Sequence, residues 1–173
     1  QKWTATSATA SDFQAAGGIT EADQWRLTTD LSGDTDPITA NLERVDDATF
    51  EKIGTGMSVS SGRWTFGATG LYSVKFLVLT RCDNAADASM PYQIKGTSDD
   101  TNYDELTQSV HSGTLTADKV PYSTGSTECL FNCENTSTHK VSFLIRAMDS
   151  NDITGGTNET QSNFMFIRLG DSQ

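Results

Sequence analysis

The stretch GRWTFGATGLYSVKFLVLT, residues 62–80, decides the fold of this chain. A turn signal at Gly67 to Gly70 separates two runs of alternating side chains. Beyond it, Tyr72, Val74, Phe76 and Val78 share one parity, the spacing of side chains on one face of a β-strand. Ser73 and Lys75 hold the other parity, which turns apolar at Leu77 and Leu79. A half-exposed antiparallel strand alternates apolar with polar along its whole length. This one does not, so its second face needs a cover at one end.

The rest of the chain sets the context for that strand. Its 173 residues fit one domain with room for a real core. Hydrophobic residues make up only 35%, and Ser, Thr, Asp, Asn and Gly fill the difference, as in a protein of short strands and many turns. Acidic residues outnumber basic ones 23 to 12, for a formal charge of -11. Such a surface repels phosphate backbones and anionic lipid, so neither a nucleic-acid partner nor membrane insertion is expected. No run is long enough to span a bilayer as a helix, and the first residues lack the layout of a signal peptide.

Turn clusters and short alternating runs follow one another from residue 21 onward: around Trp25 and Leu27, then SVSSGRW, MPYQIKG, LTQSVHSGTL, ECLFNCEN, HKVSFLIRAM and NFMFIRLG. Helical periodicity is poor, so the fold class is all-β, a sandwich or barrel. Residues 1–20 are small and polar apart from Trp3 and Phe13, and are expected to form an extended arm that docks on a partner through those two anchors. Residues 21–173 form the domain. The late strands are two-sided like the first: Val141, Phe143 and Ile145 oppose Leu144, while Phe164 and Phe166 oppose Met165, Ile167 and Leu169. A two-layer sandwich has one interior, so the expected cover for the second face is another protomer. Tyr72, Phe76, Phe164, Phe166 and Ile167 are assigned to the core or to that interface.

Residues 50–78, FEKIGTGMSVSSGRWTFGATGLYSVKFLV, resemble the head domains of the complement C-one-q and tumour-necrosis-factor superfamily. The positions that carry the likeness are Gly62, Trp64, Phe66, Gly70, Tyr72, Val74 and Phe76, with Phe164 and Leu169 near the end. The resemblance implies a ten-stranded antiparallel jelly-roll β-sandwich that assembles as a homotrimer. The wording of residues 42–74 is also similar to structural domains of marine tailed phages, fibre knobs or capsid decorations. That likeness implies a virion-surface protein whose arm holds a capsid or fibre protein. The alternative is a secreted, extracellular trimer that binds a protein receptor or a host-surface glycan, with Tyr92, Tyr103 and Tyr122 as loop aromatics that stack on sugar.

Chemistry is sparse. GTGMSV, residues 54–59, starts like a dinucleotide loop but lacks the third glycine and the helix. The acids Asp99, Asp100, Asp104 and Glu105 read as solvated loop residues rather than a catalytic pair. No cofactor is expected. Asp149, Asn151 and Asp152 offer a weak oxygen-donor set for calcium. Cys82, Cys129 and Cys133 are too few for a disulfide framework and read as free thiols. The expectation is a binding or structural protein, not an enzyme.

Overall fold

The computed structural model describes residues 18–82, 89–113, 120–148 and 151–173. Those residues form twelve strands and no helix. They are β1 (Ala22–Leu27), β2 (Leu31–Ser32), β3 (Leu42–Arg44), β4 (Ser58–Ser60), β5 (Arg63–Thr65) and β6 (Gly70–Arg81), then β7 (Met90–Thr97), β8 (Asp104–His111), β9 (Tyr122–Cys133), β10 (Lys140–Ile145), β11 (Asp152–Ile153) and β12 (Asn163–Gly170). Two antiparallel sheets result. In sheet I, β9 pairs with β6 from Gly70 to Arg81, β12 and β11 share β6's other edge, and β12 leads on to β1 and β3. Sheet II runs β4–β5–β10–β7–β8. The chain crosses between the sheets repeatedly, which makes the sandwich a jelly roll. Two of the strands, β2 and β11, are only two residues long.

The decisive strand is β6. Tyr72, Val74, Phe76 and Val78 are all buried between the sheets, and Leu77 and Leu79 lie half-buried on the outer face. Aromatic rings fill the interior. Trp64 of sheet II is fully buried and touches four rings: Trp25 edge-on at 5.1 Å, Phe143 at 5.7 Å, and Phe164 and Phe166 each at 5.2 Å. Phe76 stacks on Phe164 at 5.0 Å, and Phe66 on Phe131 at 5.1 Å. Thus Tyr72, Phe76, Phe164 and Phe166 belong to the core of a single subunit, whereas Ile167 lies half-buried on the opposite face of β12.

Backbone chemistry fixes the route into Trp64. Ser61 and Gly62, both at positive φ (50° and 73°), make the two-residue turn between β4 and β5. That conformation matches the right-handed twist of a tight hairpin. The glycine-rich segment before β4 is held by two buried carboxylates of β1 and its approach. Glu21 accepts from the Thr55 and Gly56 amides at 3.0 and 2.8 Å. Asp23 accepts from the Met57 amide at 2.7 Å, the Trp25 indole at 2.9 Å and the Arg44 guanidinium at 3.0 Å. Gly56 has φ of 75°, and a Cβ there would sit 2.8 Å from an Asp23 oxygen. GTGMSV therefore does present its amides to an anion, but the anion is its own chain's.

Arg26 departs from the sequence pattern. Alternation with Trp25 and Leu27 places it on the outer face, yet it is only 1% exposed. Glu43, Asp46 and Asp47 surround its guanidinium at 3.1, 2.5 and 3.1 Å. The segment after β3 folds over it, which no local pattern announces.

Phe164→Ala is expected to lower unfolding free energy by about 3–5 kcal/mol, read from a urea midpoint, because the surrounding rings cannot collapse into the void. Asp23→Ala takes the carboxylate from Arg44 and leaves the Trp25 indole and the Met57 amide without this acceptor. A loss of about 3–5 kcal/mol is expected by the same measurement.

Candidate interaction surface

Strand register sets the composition of sheet I's outer face, because residues directly opposite each other share a face. One row runs from Leu130 through Ser73 to Ile167, and the next from Glu128 through Lys75 to Met165. Leu77 and Leu79 follow, opposite Ser126 and Thr124. Leu77, Leu79, Met165 and Ile167 are half-buried by the pleat itself, while Leu130 stands 64% exposed. Ser73 donates to Glu128 at 2.6 Å, which orders the polar strip between the apolar rows. The face is continuous, apolar in patches, and not covered by any other described element.

This face ends at a seam. The edge strands β8 and β9 meet there, joined by a 2.8 Å hydroxyl bond between Thr107 and Thr127. Leu106 and Val110 of β8 are exposed beside it. Within the seam, the Nε2 of His111 lies 2.9 Å from the Thr80 hydroxyl, its Nδ1 is buried without a partner, and its ring leans on Tyr92 at 5.2 Å. Burial holds the imidazole below its usual pKa. Neither the exposure of Leu130 nor the position of His111 could be read from alternation, since both depend on which strands are edges.

The other candidate residues scatter. Tyr92 is not a loop aromatic: it lies on β7, 2% exposed, because its parity in MPYQIKG points into the core. Tyr103 is half-buried and donates to Asp100 at 3.1 Å; burial and that carboxylate push its pKa up to about 12. Tyr122 opens β9 and is 60% exposed. No common sugar platform exists among the three. Trp3 and Phe13 lie outside the described residues, as does Asp149.

Of the oxygen donors proposed for calcium, Asn151 and Asp152 are described. Asp152 is ion-paired with Arg81, which also holds Asp30 at 3.1 Å, and the Asn151 carbonyl accepts from the Gly33 amide at 2.9 Å. Among the described residues no three acidic, His or Cys side chains are grouped to hold a metal. The loop acids are not simply solvated either. Asp99 accepts from the Thr101 and Asn102 amides, the Asn102 side chain and the Thr97 hydroxyl, at 2.7–2.9 Å. Those bonds, the Asn102 amide's foremost, hold its carboxyl far below the ordinary range. For Asp100, partial desolvation pushes the other way but is outweighed by Lys140, Tyr103 and Arg63, so its pKa is lowered. Cys82, Cys129 and Cys133 are free thiols. Burial first, joined at Cys129 by the charge of Glu128, pushes Cys129 and Cys133 up to about 11, which leaves them protonated and poor nucleophiles.

Two expectations follow. Asp99→Ala should speed hydrogen exchange at the Thr101 and Asn102 amides while leaving the β6 amides unchanged. The folded His111 binds its proton more weakly than an unfolded histidine, whose pKa is about 6.5. Its contribution is therefore complete above that pH and is lost as pH falls below it. His111→Gln should flatten the fall in melting temperature on acidification from about pH 6.5 downward.

No protein-family model and no curated protein sequence matches the chain. Solved structures do. Eiger TNF from S. frugiperda superposes with a TM-score of 0.67 at 11% identity, over 90% of this chain and 96% of that one. Murine APRIL at pH 8.5 gives 0.61 at 13% identity, over 86% of this chain and 98% of that one, and murine APRIL at pH 5.0 gives the same values. At such identities the likeness is one of fold: this chain is an all-β jelly roll of the tumour-necrosis-factor type.

Proposed function

We propose that this chain is a non-enzymatic homotrimeric binding module, assembled through the outer face of sheet I and presenting its loops and sheet II to a macromolecular partner. The observation that carries the reading is the half-apolar face of Leu77, Leu79, Met165, Ile167 and Leu130, continuous across three strands and left open by the described residues. An isolated apolar side chain on a surface is ordinary, but a sheet face of this kind marks an association site. Tumour-necrosis-factor-type relatives in shape, together with the sequence likeness over residues 50–78, support a second and third copy of the chain as the cover. The Cys129 and Cys133 thiols, held as neutral groups, and the Asp100 and Asp152 carboxylates, committed to internal cations, support a role without chemistry at a catalytic centre.

The finer version of this reading comes from the wording of residues 42–74 and makes the trimer a knob on the surface of a tailed phage. Residues 1–20 would then be its tether, with Trp3 and Phe13 seated in a capsid or fibre protein. The secreted version gives the same trimer a receptor instead. The two versions part at the arm: removing residues 1–20 should abolish attachment to a particle in the first and leave receptor binding intact in the second.

The trimer itself is tested by mass. Sedimentation of the wild-type chain at micromolar concentration should give three times 18.7 kDa. Leu77→Lys with Ile167→Lys should give single chains that still melt cooperatively, because both side chains sit outside the core. A wild-type monomer, or a double variant that remains trimeric, would remove sheet I as the interface.

A further inference from the structure

Sheet II has its own outer face, and basic residues gather there in an otherwise acidic chain. Arg63 of β5, Lys95 of β7, Lys140 of β10 and Arg146 just past β10 gather around two carboxylates. Asp100 takes Lys140 at 3.3 Å and Arg63 at 3.6 Å. Asp36 takes Lys95 at 3.3 Å and also pairs with Arg146. Elsewhere the ratio is reversed: Arg26 alone holds three carboxylates, and Arg81 holds two. Glu105, opposite Lys95 on β8, accepts a 2.7 Å bond from Gln93, and Asp34 also faces Arg146, so four acids balance the four cations over the whole face; the two hollows described next are lined by three cations, Arg63, Lys95 and Lys140, against Asp36 and Asp100. A protein with a formal charge of -11 thus concentrates four of its 12 basic residues on one face.

The face is also hollow. A cavity of about 540 Å³ lies over Arg63, Lys140 and Asp100, walled by Ser60, Ser61 and Thr65. A second of about 210 Å³ adjoins it, sharing Pro37 and Arg63 and reaching Lys95, Tyr103 and Ser142. Together they form a groove of the volume that ligand sites occupy. Arg63 is the group least satisfied within it: its side chain is 54% exposed, and its one ion pair is the long 3.6 Å contact to Asp100. A guanidinium in that state has donors free for a planar oxyanion.

We propose that this groove binds an acidic polysaccharide, a sugar chain bearing carboxylate or sulfate groups, with Arg63 and Lys140 on the anionic groups and the Ser60, Ser61 and Thr65 hydroxyls on sugar hydroxyls. A sugar chain fits better than an acidic peptide because the walls are hydroxyl-rich and offer no deep apolar pocket for a side-chain anchor. The site deepens the binding reading above. It lies on the sheet opposite the assembly face, so a failure here leaves the trimer standing and the reverse also holds. In a trimer, three such grooves share one polymer, and weak single contacts become firm retention.

The test is retention of the full chain on immobilised dextran sulfate and on polygalacturonate, with neutral dextran and poly-glutamate as references, at about 50 mM salt, where the Debye length leaves surface charge effective. Retention on at least one acidic polysaccharide, with none on dextran, is expected, and the preferred polymer tells sulfate from carboxylate. Arg63→Ser and Lys140→Gln should each weaken that retention about tenfold, the scale of one lost charge-assisted contact. Lys52→Ser, a cation away from the groove, should leave it unchanged. The proposal is overturned by no retention on either acidic polysaccharide, by equal retention of the Arg63→Ser chain, or by poly-glutamate retained as firmly as the sugars.

Discussion

The sandwich depends on one indole. Trp64 projects from a three-residue strand of sheet II into a cage of Trp25, Phe143, Phe164 and Phe166, drawn from both sheets. A strand as short as β5 makes few ladder bonds of its own, so its position is set by that packing. Each aromatic pair in edge or offset geometry adds something of the order of 0.5–1.5 kcal/mol beyond burial. The hairpin turn at Ser61 and Gly62, the loop pinned by Glu21 and Asp23, and the alternation of β6 all serve to deliver and receive this ring.

Charge in this chain is divided between internal and external use. Asp23 with Arg44, and Arg26 with its three carboxylates, are partly or wholly withdrawn from water and hold loops to strands. Breaking such a pair from one side strands the other charge, which is why these groups fix geometry more than they add net stability. Removing those basic residues from the surface makes the remaining acidic surface more uniform. The four cations on sheet II stand out against that background rather than blending into it.

The two faces of β6 were legible in the sequence because a period of two is a local property of Tyr72 through Leu79. The family likeness was legible for a similar reason: Gly62, Trp64 and Gly70 are imposed by a turn, a cage and a close backbone approach. What stayed hidden is non-local. Arg26 looks exposed until residues 43–47 fold over it, and Asp99 looks solvated until its own loop closes on its carboxylate. Tyr92 reads as a loop aromatic until its strand parity is set by pairing with β10. The cations at 63, 95, 140 and 146 become neighbours only through the register of β5, β10 and β7, which no single stretch of sequence encodes.

The place of β12 carries a consequence for how the molecule is made. This strand, at residues 163–170, lies between β1 and β6, so the first strand of the sheet and its central strand are joined only through the last. During synthesis the ribosome therefore releases β1 long before it has a neighbour to its inner side. Phe164 and Phe166, which complete the cage around Trp64, arrive with that same neighbour, β12. Contacts of such sequence separation close slowly, since the loop entropy comes before the reward. The nascent chain must wait with an open sheet until residues 163–170 emerge. Its high share of Ser, Thr and Asp is well suited to keeping that unfinished edge in solution.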